Sequence, residues 1–189
     1  MTEHAAPSPQ GPAEAPAPAS PTSLAQLVGR LVHVLEHALS PGDLAALRRL
    51  DLDDPTEPAF WQVMVAWVEP SWVVPNQAAR RDYAERDWAC VLNALVLMVG
   101  LHQPGRALGS ALAAAGFSEL RLSRLLRASD AGLRNEVRLA ARYLGSKAEP
   151  CNHVELATLV LSRQDPDDRV RRQIARNYYR TLNATRSTD

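Results

Sequence analysis

The chain is a succession of short segments in which apolar residues recur every three or four positions, each segment ending at glycine, proline or a Ser/Asp cap. That spacing places the apolar side chains on one face of an α-helix. Leu24, Leu31 and Leu35 belong to one such stripe, and Ser23 is suited to cap the helix that carries it. Alternating runs rich in Val, Ile and Thr are almost absent, so the sequence predicts an all-α fold.

The breaks divide the chain into nine predicted helices and two small bundles. His102-Gln103-Pro104-Gly105 is the strongest break, and we place the boundary between an N-terminal lobe (24–102) and a C-terminal lobe (103–184) there. Residues 185–189 are a tail. No segment repeats at a fixed period, which excludes a solenoid. The predicted helices are 22–38, Pro41–Leu50, Pro58–Trp67, Asn76–Leu101, Leu108–Ala115, Ser118–Ala128, Leu133–Leu144, His153–Ser162 and Pro166–Leu182.

The first 23 residues are expected to be a disordered extension. They contain six prolines, many alanines, no Lys or Arg and no apolar core, so they do not resemble a targeting signal. The longest apolar run, Ala89–Leu101, is shorter than the roughly 20 residues that span a bilayer. Cys90 and Cys151 belong to no CxxC pair. We therefore expect a cytoplasmic protein without a structural zinc site or other cofactor.

The zero formal charge hides an uneven distribution. Residues 1–79 hold three basic and nine acidic side chains, whereas residues 80–189 hold eighteen basic and twelve acidic ones. Twenty of the twenty-one basic residues are arginine, which binds phosphate oxygens through a fork of N–H donors and stacks on bases. The two halves are thus electrically opposite.

Arginines recur at helical spacing in the C-terminal half. One row is predicted on each of three helices: Arg121, Arg124 and Arg127; Arg134, Arg138 and Arg142; Arg169, Arg172, Arg176 and Arg180. Like charges at these spacings repel by a few tenths of a kcal/mol per pair, so each row needs acidic neighbours or an external polyanion. The pattern favours contact with a nucleic-acid backbone, and a solvated charged surface is the alternative.

The sequence gives little support for an enzyme. His33-Val-Leu-Glu-His37 has the HxxEH pattern of inverted zincins, but both histidines are predicted opposite the leucine stripe, towards solvent, and no third ligand follows. The acidic residues of segment 51–57 are Asp51, Asp53, Asp54 and Glu57. They lack the glycine and final glutamate of an EF-hand loop, which favours a solvated loop. No P-loop lysine and no GxSxG motif are present.

Four tryptophans fall within one stretch, at positions 61, 67, 72 and 88, together with Phe60 and Tyr83. Aromatic side chains can stack on bases. Their apolar neighbours, such as Val63 and Leu92, favour a buried helical core instead.

One central block resembles a known family. Residues 108–128, LGSALAAAGFSELRLSRLLRA, are similar to the central signature of the CasB family, the small subunit of type I-E CRISPR Cascade complexes. Two weaker similarities stand in the expected order on either side of it. They are Leu44-Ala-Ala-Leu-Arg-Arg49 followed by Pro58-Ala-Phe-Trp61, and Val170-Arg-Arg-Gln-Ile-Ala-Arg-Asn-Tyr-Tyr179.

The resemblance implies a non-enzymatic, all-helical protein in two small bundles. Two copies would stack head to tail beside other Cascade subunits, the backbone and large subunits. They would line the guide RNA and target DNA strand and hold the displaced non-target strand, which stabilises the R-loop. The positions implied or predicted to bind nucleic acid are Arg48, Arg49, Arg121, Arg124, Arg127, Arg138, Arg142, Arg171, Arg172 and Arg176.

Two further hypotheses remain open from the residues. The acidic N-terminal half suits a head-to-tail contact with the basic half of a second copy, with the 51–57 segment as the acidic partner. Alternatively, the chain is a helical adaptor whose arginine rows pair with acidic surfaces of partner proteins. Salt-dependent binding of polynucleotide separates the second hypothesis from the Cascade function.

Overall fold

The computed structural model describes residues 23–68, 72, 78–162 and 168–186. These residues form nine α-helices and no strand, which confirms the all-α prediction. The predicted extension lies outside the described residues except for Ser23, and the last three residues of the tail also lie outside them. The helices are α1 (Leu24–His37), α2 (Pro41–Arg48), α3 (Pro58–Trp67), α4 (Ala78–Leu97), α5 (Leu108–Ala114), α6 (Glu119–Arg127), α7 (Asp130–Ser146), α8 (His153–Leu161) and α9 (Arg169–Arg186).

Side-chain caps explain why several helices begin where the sequence predicts. Ser23, Ser40, Ser118 and Asn152 each accept a hydrogen bond from a backbone N–H in the first turn of α1, α2, α6 and α8. These bonds satisfy donors that an uncapped helix leaves without partners. Two helix ends differ from the prediction by four residues: α4 ends at Leu97 instead of Leu101, and α9 continues beyond Leu182 to Arg186. Its last residue, Arg186, lies 3.3 Å from Glu119 of α6.

The core is built around α4. Every residue from Asp87 to Val96 is buried, and this helix packs against α2, α7 and α8. Helix α1 contacts α8, α5 crosses α9, and α6 contacts both α7 and α9. Helices from both sides of the break at 102–105 therefore contribute to one apolar cluster. The division into two lobes stays a prediction. In the described residues, no helix is both long and apolar enough to cross a membrane.

The prediction of a buried aromatic core is confirmed for Phe60 and Trp88 and is wrong for Trp61 and Tyr83. Trp88 and Phe60 are fully buried, and the Trp88 indole N–H donates to the carbonyl of Trp72 at 3.0 Å. Trp61 and Tyr83 are exposed. The exposure of Trp61 follows from its helix face, because Phe60 and Val63 occupy the inward side of α3.

A histidine pair sits at the break between the predicted lobes. His153 begins α8 and is buried, and its ring lies 4.9 Å from the ring of His102. His102 Nδ1 accepts the backbone N–H of His153 at 3.2 Å, while both ring nitrogens of His153 lack a partner among the described residues. Burial, with a smaller contribution from His102, lowers the pKa of His153 to about 3.

We expect His153 to make the protein sensitive to acid. Because the folded state holds this ring neutral, the unfolded chain binds one more proton between pH about 6.5 and about 3. Stability is therefore retained above pH 6.5 and falls by about 1.4 kcal/mol per pH unit as the pH drops through this window. His153→Leu should flatten this acid limb in urea unfolding across pH. His33→Gln, at an exposed position, is the control, and an unchanged limb in His153→Leu would contradict the assignment.

Candidate nucleic-acid interface

The arginine-bearing helices α6, α7 and α9 lie next to one another, with α6 between the other two. The guanidinium of Arg171 donates to the carbonyl of Leu126 near the end of α6, and the Tyr179 hydroxyl is 3.3 Å from Glu119 at its start. Helix α9 therefore runs antiparallel to α6. On the other side, Arg124 pairs with Glu136 of α7 at 3.6 Å. The folding of the chain thus brings together helices whose arginines are up to about 60 residues apart.

Two tyrosine hydroxyls hold the turn between α5 and α6. Tyr143 of α7 donates to the carbonyl of Ala115 at 2.9 Å, and Tyr178 of α9 donates to that of Phe117 at 2.5 Å. Burial, followed by the nearby Glu119 carboxylate, raises the pKa of the Tyr178 hydroxyl, which keeps it a donor. These bonds fix the start of α6 relative to both neighbours. Sequence analysis did not identify the tyrosines, because their partners lie 28 and 61 residues away.

Most of the predicted arginines are exposed and have no ion-pair partner within the described residues. On α6, α7 and α9 these are Arg121, Arg127, Arg142, Arg172 and Arg176. Arg180, from the predicted row on α9, is likewise exposed and without an ion pair in the described residues. We call these six side chains the cationic face. They lie on the sides of their helices that point away from buried residues such as Leu122, Leu144 and Ile174.

Three other predicted arginines have partners inside the chain. Arg124 pairs with Glu136, and the half-buried Arg138 donates to the Asn135 side chain at 3.3 Å. Arg171 lies 3.5 Å from Asp168 and also holds the Leu126 carbonyl. Because the α6 carbonyl is part of the protein's own packing, Arg171 helps to dock α9.

The predicted row on α7 is wrong at its first member. Arg134 is buried, and its guanidinium lies 2.6 Å from Asp53 and 3.6 Å from Asp87. Each step of four residues rotates a side chain by about 40° around a helix with 3.6 residues per turn. The row therefore passes from the core at Arg134, through Arg138, to solvent at Arg142. The ion pair also shows that the acidic 51–57 segment is not fully solvated.

Arg48 and Arg49 form a second exposed group at the end of α2. Asn93, fully buried on α4, donates from Nδ2 to the carbonyls of Leu47 and Arg48 at 2.8 and 3.2 Å. The bond to Arg48 supplies a donor to a carbonyl that the helix end leaves open, and the bond to Leu47 adds to the one that this carbonyl accepts from the Leu50 backbone N–H. Asn93 thereby fixes the direction in which this end of α2 points.

His33 and His37 are exposed, as their helix face predicts, and their rings stack 4.5 Å apart. Within the part of the chain that the structure describes, no group of three or more His, Cys, Asp or Glu side chains is placed to hold a metal ion.

The described residues thus belong to an all-helical protein with exposed, unpaired arginines on neighbouring helices. Among protein families, the chain matches the model of CRISPR-associated protein Cse2 over residues 43–179. Because this match spans well over half of the chain, the protein belongs to the Cse2 (CasB) family, which confirms the predicted resemblance. Family membership supports a subunit of a CRISPR Cascade complex.

A solved structure has the same fold. The crystal structure of CasB from Thermobifida fusca aligns with a TM-score of 0.64 and 18% sequence identity, covering 82% of this chain and 97% of that one. Comparison with curated protein sequences gives no significant match.

Proposed function

We propose that this chain is a non-catalytic small subunit of a type I-E-like Cascade, which contacts guide RNA, target DNA and the displaced strand to stabilise the R-loop. The observation that carries the proposal is the cationic face: six exposed arginines on three adjacent helices, without ion pairs in the described residues. R-loop formation is nearly balanced in free energy, so a few backbone contacts from protein can decide its outcome.

Helix α9 supports a polyanionic partner most directly. It contains six arginines and no acidic residue. Arg172, Arg176 and Arg180 are exposed on the side of the helix opposite the buried Ile174 and Tyr178. Like charges on one helix face repel, and phosphate groups along a strand would relieve that repulsion.

The proposed partners include a second copy of this chain as well as the other Cascade subunits. In a head-to-tail stack, the acidic N-terminal half of one copy would meet the basic half of the next. Since Asp53 pairs with Arg134 within the chain, Asp51 and Asp54 are the exposed charges of that segment that a second copy could contact. Charge reversal at these two positions without weaker stacking would contradict this contact.

We expect Arg172→Ala/Arg176→Ala to make R-loop binding less sensitive to salt. Each lost contact to a single-strand phosphate lowers the log–log salt slope by about 0.7, so the double variant should lose about 1.4. The measurement is the equilibrium constant for R-loop binding by the reconstituted complex across a salt series, with assembly checked by size-exclusion chromatography.

The matched control is Arg106→Ala/Arg186→Ala, which removes the same charge from arginines paired with Glu149 and Glu119. Its slope should equal that of the wild type. An unchanged slope in the Arg172/Arg176 variant would contradict the proposal. Loss of assembly in the Arg172/Arg176 variant would favour the adaptor hypothesis instead.

A further inference from the structure

Arg121 has surroundings unlike those of the other arginines on the cationic face. Its guanidinium carbon lies over two aromatic rings, 5.3 Å from the centroid of Tyr143 and 6.0 Å from that of Phe117. The residue is exposed, and no carboxylate of the described residues pairs with it. One side of this cation is therefore covered by aromatic carbon, while the rest of it faces solvent.

The two rings beneath Arg121 are held in place. Phe117 is buried and meets Tyr143 edge to face, with ring centroids 5.3 Å apart and an angle of 65° between the planes. The Tyr143 hydroxyl is bonded to Ala115 and the Phe117 carbonyl accepts from Tyr178. Gly116, between Ala115 and Phe117, has a φ of +79°, a left-handed conformation that glycine adopts without strain. The Tyr143 ring cannot turn aside without losing its hydrogen bond, and the Phe117 ring cannot do so without losing its burial and its contact with Tyr143.

We propose that Arg121, supported by Tyr143 and Phe117, stacks on an unpaired base of a single-stranded nucleic acid. A planar guanidinium that is weakly hydrated and already covered on one side offers its other side to a flat π-system. Bases splayed out from single strands stack on arginine planes in this way. The inference rests on the proposed function and assigns Arg121 a role that differs from the phosphate contacts of α9.

The geometry also makes Tyr143 a positioning residue. It touches Arg121 and not the nucleic acid, so its effect on binding passes through the guanidinium. Arg186 provides a contrast on α9, since it is exposed and its guanidinium pairs with Glu119 at 3.3 Å. Lysine at position 121 keeps the charge and loses the flat surface, whereas lysine at position 186 replaces a cation whose partner lies inside the chain.

The test compares two single-stranded DNA oligonucleotides of equal length, one with bases and one with a run of abasic sites, by fluorescence anisotropy on the full chain. Arg121→Lys should weaken binding of the intact strand about tenfold, leave the abasic strand unchanged and keep the same salt slope. Arg186→Lys, the matched control, keeps the charge at a position whose guanidinium pairs with Glu119, and should change binding of neither strand by more than about twofold.

Variants at position 143 separate the ring from the hydroxyl group. Tyr143→Leu should reproduce the selective loss on the intact strand, and Tyr143→Phe, which keeps the ring, should restore binding. A thermal melt of each variant verifies its fold, and the Arg121→Lys result stands independently if Tyr143→Leu does not fold.

Two other outcomes are distinguishable. Equal weakening of both strands by Arg121→Lys, or no weakening of either, would overturn base stacking while binding to phosphate remained intact. Wild-type chain that binds neither strand at low salt would also overturn base stacking by Arg121, whereas the proposed function is decided separately by the salt slope of the reconstituted complex.

Discussion

Arg134→Ala is expected to lower the free energy of unfolding by about 3–5 kcal/mol, the cost of breaking a buried ion pair from one side. The side chain of Arg134 is 4% exposed and joins α7 to two acidic groups distant in sequence. Its removal would leave the Asp87 carboxylate, whose side chain is 9% exposed, in the core without this cation. Truncation would also open a cavity, which adds to the loss.

The two carboxylates contribute unequally to this loss. Asp53 makes the shorter contact at 2.6 Å, but its side chain is 61% exposed, so water can replace much of what the pair provides. Asp87 is farther away, at 3.6 Å, and buried. We therefore expect Asp87→Asn to perturb the protein more than Asp53→Asn.

Urea unfolding of a small set of variants tests the assignment. Arg142→Ala, an exposed position on the same helix, is the control and should change stability by less than about 0.5 kcal/mol. The double variant Arg134→Met/Asp87→Leu replaces both charges with apolar groups. Its loss of stability should be about 1–3 kcal/mol smaller than the sum of the losses of the two single variants. A cost below about 1 kcal/mol for Arg134→Ala would contradict a structural role for this pair.

Arg134 also shows which features of the fold can be predicted from the sequence and which cannot. The period of the apolar residues predicted nine helices, and α3 begins and ends as expected, because periodicity and breakers are local properties. The partners of Arg134 are 81 and 47 residues away, in a loop and on α4. A helical wheel of α7 alone contains neither of these partners. It therefore places Arg134 in a row of exposed arginines.

The same reasoning applies to the candidate interface. Arg172 and Arg176 could be predicted as exposed, since Ile174 and Tyr178 define the opposite face of α9 in sequence alone. The Tyr143 ring under Arg121 could not be predicted, because it follows Arg121 by 22 residues on another helix. The role of Arg171 in docking α9 could not be predicted either, because it depends on the end of α6 lying beside the start of α9.

The position of α9 depends on one glycine within the central block that carries the family resemblance. Gly109 of α5 lies where the two helices cross, and a Cβ at this position would overlap the carbonyl oxygen of Ile174 and lie 2.9 Å from the amide nitrogen of Tyr178. Both atoms belong to the backbone of α9, which cannot yield as a flexible side chain does. Gly109→Ala must therefore push α9 away from α5 and expose Ile174 and Tyr178.

We expect Gly109→Ala to destabilise the protein by about 3 kcal/mol, at the upper end of the usual cost of overpacking because backbone is displaced. Gly29→Ala is the matched control. Gly29 lies within α1 with no atom within 4 Å of an added Cβ, so alanine there should stabilise the protein by about 0.5–1 kcal/mol. Thermal unfolding of both variants gives the comparison.

Because Arg172 and Arg176 depend on α9 for their placement, Gly109→Ala should also weaken R-loop binding at a temperature where the variant remains folded. Wild-type stability in Gly109→Ala would show that α9 does not need this close crossing, and the proposed role of Gly109 in placing the cationic face would be wrong.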